Sequence, residues 1–306
     1  MALWMKPPGE AHLDDEDRRY GAEFHAASKR IGAEIATGTV FSFRQLWGRC
    51  RDWRVAQFDL ARTESRLREC ESFGSPAQMR IAFSRLRKLE CETPIAGIYN
   101  CLHARVLTAA GEDTYNRCGE RVSRVVQQTV TLDGEVRPLT EVFAYANKNG
   151  EATPRQQVPW AGLLYGGMRH TRVQHLESLD RRVETLFAQT LIVASATPAQ
   201  RLNQLAEMHW LLAHAMPDYR GSAAKSELAI RSMAMALDME LPPFREHIAP
   251  DLEAFVTPLD EFVSKYAREF FETEDTMQAR PLLQAPGDES AQPQQLAESD
   301  ETVGAT

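Results

Sequence analysis

Apolar residues recur at steps of three and four along most of the chain, and at steps of two in one region only. Acids from Asp14 to Asp17 suit the positive start of a helix. Tyr20, Phe24, Ile31 and Ile35 then follow at helical spacing until Gly38 ends the run. Ser42 has the chemistry of an N-cap, with Leu46, Trp47, Cys50, Trp53 and Val55 turned toward a core. The basic run Arg44 to Arg54 reads as the solvated side of that helix. Ser75-Pro76 opens a predicted third helix, with Met79, Phe83, Leu86 and Leu89 on one face and Arg80, Arg85, Arg87 and Lys88 elsewhere. Residues 97–110 are expected to continue as helix. Further helices are predicted from about Arg172 to Ala194, Pro198 to Ala215, Ser222 to Met239, and Leu259 to Phe271.

The period shortens between Val122 and Leu139, a stretch rich in β-branched residues. Asp133-Gly134 divides it, and an Asp-Gly pair between two strand-like runs is a strong hairpin signal because both central residues need positive φ. The predicted fold class is mainly α with a small antiparallel β element. One domain is expected over 14–276, with a variable lobe around the hairpin at about 120–160. Residues 1–13 and 277–306 are expected to be a disordered head and an acidic disordered tail. From 281 onward the chain combines Pro, Gln, Ser and Gly with Asp288, Glu289, Glu298, Asp300 and Glu301. Such a segment buries too little apolar surface to offset its ordering entropy.

Composition then removes several function classes. The 306 residues carry a net charge of −8 and a pI near 5.6, which excludes general affinity for nucleic acid or an acidic membrane surface. Five cysteines (Cys50, Cys70, Cys91, Cys101 and Cys118) lack C-x-x-C spacing, so neither a disulfide framework nor a zinc site is expected. They suit a reducing compartment. No apolar run approaches the roughly 20 residues needed to span a bilayer. Neither a cleavable leader nor an N-myristoylation signal is expected, since Ala2 stands where myristoylation needs glycine.

The candidate chemistry lies between two predicted helices. Leu202, Leu205, His209, Leu212 and Met216 share one helical face. Pro217 is expected to close that helix, Asp218 and Tyr219 to make the turn, and Arg220-Gly221-Ser222 to open the next. A helix start exposes unpaired N–H groups and the positive end of its dipole. Gly221 permits close approach of the backbone to a ligand, and Arg220 can grip phosphate in a bidentate way. Together these parts suit a diphosphate. The simpler reading is a corner in which Asp218 caps and Arg220 pairs with a surface acid.

Other polar residues have equally plain alternatives. His209 reads as a buried histidine satisfied by a neighbour, or as a ligand-facing group. His170-Thr171 follows a predicted Gly166-Gly167 turn, where Thr171 would cap a helix beside an exposed His170. Thr93 is most simply an N-cap with Pro94 at the first helical position, and Asp251 a cap for Leu252 to Phe255. No Walker loop, dinucleotide fingerprint, Ser-His-Asp signature or His-Glu-x-x-His metal motif is present.

Several segments share one resemblance. Phe41 to Arg49 (Phe-Ser-Phe-Arg-Gln-Leu-Trp-Gly-Arg) followed by Asp52-Trp53-Arg54, and Ala215-Met216-Pro217-Asp218 through Arg220-Gly221-Ser222-Ala223-Ala224-Lys225, resemble the AvrB family of bacterial type III effectors delivered into plant cells. So do Glu240-Leu241-Pro242-Pro243-Phe244-Arg245 and Glu261-Phe262-Val263 with Lys265-Tyr266. The resemblance runs from roughly residue 30 to 270 and is densest over 205–266.

It implies a two-lobed, mainly helical fold related to the Fic/Doc (Fido) superfamily. It implies a glycosyltransferase that moves rhamnose from a nucleotide-sugar, UDP- or dTDP-rhamnose, to a threonine or serine of a host protein, with no metal. Residue by residue, Arg220 looks like the family's phosphate-binding arginine, and Asp251 like its required acid. Thr93 and Tyr99, in Thr-Pro-x-x-x-x-Tyr, look like its pocket pair. His170 with Thr171 looks like its nucleotide contact, beside Gly221 and Ser222 at the helix start. The implied partner is a disordered plant immune regulator, with a host chaperone or kinase as a second class. The implied location is the host cytosol or the periphery of its plasma membrane. Nucleotidyl or phosphoryl transfer, and a non-catalytic adaptor role, are the competing readings. Three features depart from the family pattern: the missing Met-Gly start, the Gly166-Gly167-Met168-Arg169 stretch before His170, and the acidic tail after residue 276.

Overall fold

The computed structural model describes residues 15–57, 83–87, 102–115, 118–119, 121–158, 162–192, 196–216, 221–245 and 248–272. Helix α1 (Asp15–Ala36) and helix α2 (Phe43–Ala56) begin the chain. Ser42 caps α2 as expected, its side chain accepting from the Gln45 amide. A short helix α3 covers 102–108. After the sheet come α4 (Val173–Ile192), α5 (Pro198–Ala215), α6 (Ser222–Ala236), α7 (Pro250–Val256) and α8 (Leu259–Lys265), which runs on as a π turn over Tyr266–Phe270. The fold is mainly helical with a small antiparallel sheet.

Helix α6 lies at the centre of the helical layer. Ser222 and all residues from Ala224 to Ala234 are buried, so it has no solvent face over three turns. Helices α1, α2 and α5 pack around it. Phe24 of α1 meets Trp53 of α2 edge-on at 5.2 Å between ring centres, closing one side. Helix α5 is buried all round from Met208 to Ala215 and also contacts α4, α7 and α8. The orphan amides opening α2 are satisfied from α4: Glu184 accepts from the Phe43 amide at 2.9 Å and the Arg44 amide at 3.3 Å.

The sheet holds six strands: β1 (Phe83–Arg87), β2 (Glu112–Tyr115), β3 (Arg121–Leu132), β4 (Glu135–Tyr145), β5 (Gln156–Val158) and β6 (Gly162–Arg169). Their order is β1-β6-β4-β3-β2, with β5 on β6, all antiparallel. The β3–β4 turn falls on Asp133-Gly134 as expected, with φ of 53° and 79°. Strand β3 alternates, burying Val126, Gln128, Val130 and Leu132 between exposed residues. By contrast, Val142, Phe143 and Ala144 of β4 are all buried, the pattern of a strand covered on both faces. Helices α4 and α7 supply cover by packing on β3, and α7 also reaches β4.

Two expectations are corrected. Residues 83–87 of the predicted third helix are strand β1, held by β6 from far along the chain; the rest of that helix lies outside the described residues. Gly166-Gly167 is the middle of β6, not a turn. A side-chain carbon on Gly166 would stand 2.1 Å from the Phe143 carbonyl oxygen, so the glycine answers to close strand approach. Strand β2 covers the outer side of β3 only from Arg121 to Val125; from Gln127 to Leu132, among the described residues, β3 pairs with β4 alone, so the outer half of the hairpin keeps an open edge.

Candidate functional site

Two left-handed residues bracket the turn singled out in the sequence. Helix α5 ends at Met216 with φ 39°, and α6 opens from Gly221 with φ 73°. Glycine is the residue that adopts that backbone without steric cost. Gly221, at the cap position, brings no capping side chain of its own. Ser222 and Ala224 are buried and Ala223 is half-buried. Pro217 to Arg220 lie outside the described residues, as do Thr93 and Tyr99.

Asp251 stands in the first turn of α7, but not as its cap. Ala249 holds the cap position and Pro250 the first helical one, because proline needs no N–H there. The Asp251 carboxylate instead accepts from its own amide and that of Leu252; burial raises its pKa and these bonds oppose the rise. Helix α7 is fastened at its far end. Trp210 donates its indole N–H to the Thr257 carbonyl at 3.0 Å, and His214 Nε2 meets the Ala254 carbonyl at 3.1 Å. Arg105 of α3 pairs with Glu253 and donates to the Thr257 hydroxyl.

His170 follows β6 directly and is buried, against the exposed histidine of the simpler reading. Its ring centre lies 6.4 Å from Phe255 of α7, and His214 approaches the same phenyl ring at 5.4 Å. The Thr171 hydroxyl is within 3.3 Å of the Thr140 hydroxyl, both fully inside. The fold therefore brings His170 and Thr171 to the helix that carries Asp251. His209 takes its structural reading. It is buried, Nδ1 is 2.8 Å from the Tyr266 hydroxyl, and desolvation depresses its pKa to about 3, leaving the ring neutral.

Sequence reasoning missed the charged residues inside α6. Lys225 is fully buried with Nζ 5.6 Å from the Trp47 ring centre. Glu227 and Arg231, one turn apart, are buried and paired at 3.3 Å. Arg231 also donates to the Leu241 carbonyl at 2.6 Å and the Pro242 carbonyl at 3.0 Å, tying α6 to the segment that leads toward α7. Desolvation pushes Glu227 up to about 7 against the pull of Arg231, and the charge of Asp251 adds to the rise. The signal was present: Leu228, Ala229, Ile230, Ser232, Met233 and Ala234 leave those charges no solvated side. Among the described residues, no group of three or more His, Cys, Asp and Glu could hold a metal ion. No described helix is long and apolar enough to cross a membrane.

A mainly helical layer around α6 and a small antiparallel sheet define the class. The chain belongs to the AvrB/AvrC family of avirulence proteins, whose family model matches residues 2–274. It is 32% identical over 269 residues to avirulence protein B of Pseudomonas savastanoi pv. glycinea, covering 82% of this chain and 78% of that protein.

Proposed function

We propose that this avirulence-family effector is a protein glycosyltransferase that moves rhamnose from a nucleotide-sugar to a threonine or serine of a host protein. The observation that carries the reading is the start of α6 at left-handed Gly221, which has no capping side chain, directly after Arg220 in sequence. Amides there and the Arg220 guanidinium would stabilise charge developing on the leaving diphosphate. Asp251 would act as base toward the acceptor hydroxyl, or steady positive character at the sugar carbon. His170, Thr171, Thr93 and Tyr99 would orient the donor, UDP- or dTDP-rhamnose. An extended acceptor segment, such as a disordered plant immune regulator, would add to an edge strand of the sheet, the open outer half of β3 in the hairpin or the neighbouring β2. Tyr115, 60% exposed there, offers a contact. Delivery into the host cell is part of the same reading.

The test incubates the protein with a panel of nucleotide-sugars and a threonine-bearing acceptor. A deoxyhexose added to the acceptor is the expected mass change, and its absence with every donor would sink the proposal. A nucleotidyl or phosphoryl adduct would turn the reading toward Fido-type chemistry. If Asp251→Ala and Arg220→Ala keep full biological output, an adaptor role replaces catalysis.

A further inference from the structure

Helix α3 (102–108) touches two parts of the candidate site while carrying none of its residues. Leu102, His103 and Val106 are buried, so the helix is seated in the core rather than laid on the surface. On one side it holds β6. His103 Nε2 lies 3.3 Å from the Tyr165 carbonyl oxygen, and its ring meets the Tyr165 ring edge-on at 5.6 Å. Strand β6 ends at Arg169, and His170 is the next residue.

On the other side α3 holds α7 through one side chain. Arg105 pairs with the Glu253 carboxylate, and its Nη2 donates to the Thr257 hydroxyl at 3.2 Å. A single planar guanidinium thus reaches two points about one turn apart. The Trp210 and His214 contacts reach only carbonyls toward the end of α7, at Thr257 and Ala254. Of these attachments Glu253 is nearest to Asp251, about 3 Å away along the helix axis. The Glu253 side chain is 12% exposed. A carboxylate at that depth turns toward water once its cation is gone, and the first turn of α7 moves with it. Arg105 is itself 37% exposed, so its replacement opens no cavity in the core.

We propose that α3 is the bracket that sets the spacing between Asp251 and His170, and that Arg105 is the positioning residue that makes it rigid. The proposal rests on the donor reading above, in which Asp251 meets the reacting groups and His170 the nucleotide. Arg105 touches neither and acts through Glu253. Its loss therefore weakens the reaction step rather than donor binding. An acid misplaced by about an ångström loses up to ~100-fold in rate.

Hydrogen exchange and transfer kinetics on the full chain test it together. The Leu252 and Glu253 amides both bond to the Ala249 carbonyl. In Arg105→Met they are expected to exchange severalfold faster, while the buried amides of α6 keep their protection. With nucleotide-rhamnose and a threonine-bearing acceptor, kcat is expected to fall about 10- to 100-fold and donor KM to stay within about twofold. Glu253→Gln is expected to give a similar loss, and the double variant to fall well short of the product of the two. Arg105→Lys keeps the pairing with Glu253 without the fork to Thr257, and is expected to recover part of the rate. Unchanged exchange at Leu252 and Glu253, an unchanged kcat, or a rise in donor KM that matches the fall in kcat overturns the proposal. So do losses that simply multiply in the double variant, or α6 protection that falls in step with α7, the sign of general destabilisation. Absence of transfer by the parent protein with every donor removes the donor reading instead, and the exchange result still decides whether Arg105 fixes the turn that bears Asp251.

Discussion

Helices α4 and α6 each carry a glutamate one turn ahead of an arginine, and the two pairs differ in everything but spacing. Glu177 and Arg181 of α4 meet at 2.7 Å with side chains 84% and 56% exposed. Glu227 and Arg231 of α6 meet at a longer 3.3 Å with side chains 7% and 9% exposed. The shorter contact is the weaker constraint. Water and salt screen the α4 pair, and Arg181 divides its guanidinium between Glu177 and Asp133. On α6 neither partner has water to fall back on. Arg231 also satisfies two backbone carbonyls, so its loss strands three acceptors at once. Solvent, not spacing, sets what a helical ion pair is worth.

The largest break in this comparison is Arg231→Met. It leaves Glu227 buried without its cation and is expected to cost about 3–5 kcal/mol in denaturant unfolding. Adding Glu227→Leu is expected to recover much of that loss, because the stranded charge goes with it. Acidification probes the same interior. His209 and His214 both have pKa values depressed to about 3 by burial, from an ordinary 6.5. Below pH 6.5 the unfolded chain takes up protons that these rings refuse. Stability should therefore fall as pH drops from 6.5 toward 3, by up to ~1.4 kcal/mol per pH unit for each ring. Glu227, shifted the other way, gives a smaller opposing slope between its unfolded value and about 7.

Between the extremes stands Arg182 of α4, half-buried against Glu207 of α5 at 2.7 Å. Arg182→Ala is expected to cost about 0.5–1 kcal/mol, read from the unfolding midpoint. Arg181→Ala should leave the melting temperature unchanged, and a clear drop there would erase the contrast between the two helices.

Helix and hairpin punctuation was legible because it is local. Ser42, Pro198, the Asp133-Gly134 turn and the Ser222 start each act through a few neighbouring dihedrals, and each falls where the sequence placed it. Strand β1 was misread for the opposite reason. Phe83 and Leu86 stand three apart, which fits a helical face, and pairing with β6, about eighty residues away, makes the segment a strand. The glycines of β6 likewise serve a neighbour that the local sequence does not name. Of the candidate site, the α6 start and Asp251 were visible as motifs, whereas the buried charges of α6 were not. Charged residues are ordinarily solvated, which outweighed the apolar run Leu228 to Ala234 around them until packing on every side of the helix was seen.

The fastening of α7 has a mechanical consequence. Trp210, His214 and Arg105 grip its last turn around Thr257, while Asp251 rides six residues away, about 9 Å along the axis. These hydrogen bonds hold the helix at one end, and Asp251, the acid of the proposed reaction, stands toward the other. A tilt of about three degrees would carry that carboxylate roughly half an ångström, the margin within which a reacting group must be held. Arg231 fixes the chain at Leu241 and Pro242, ahead of that end of the helix.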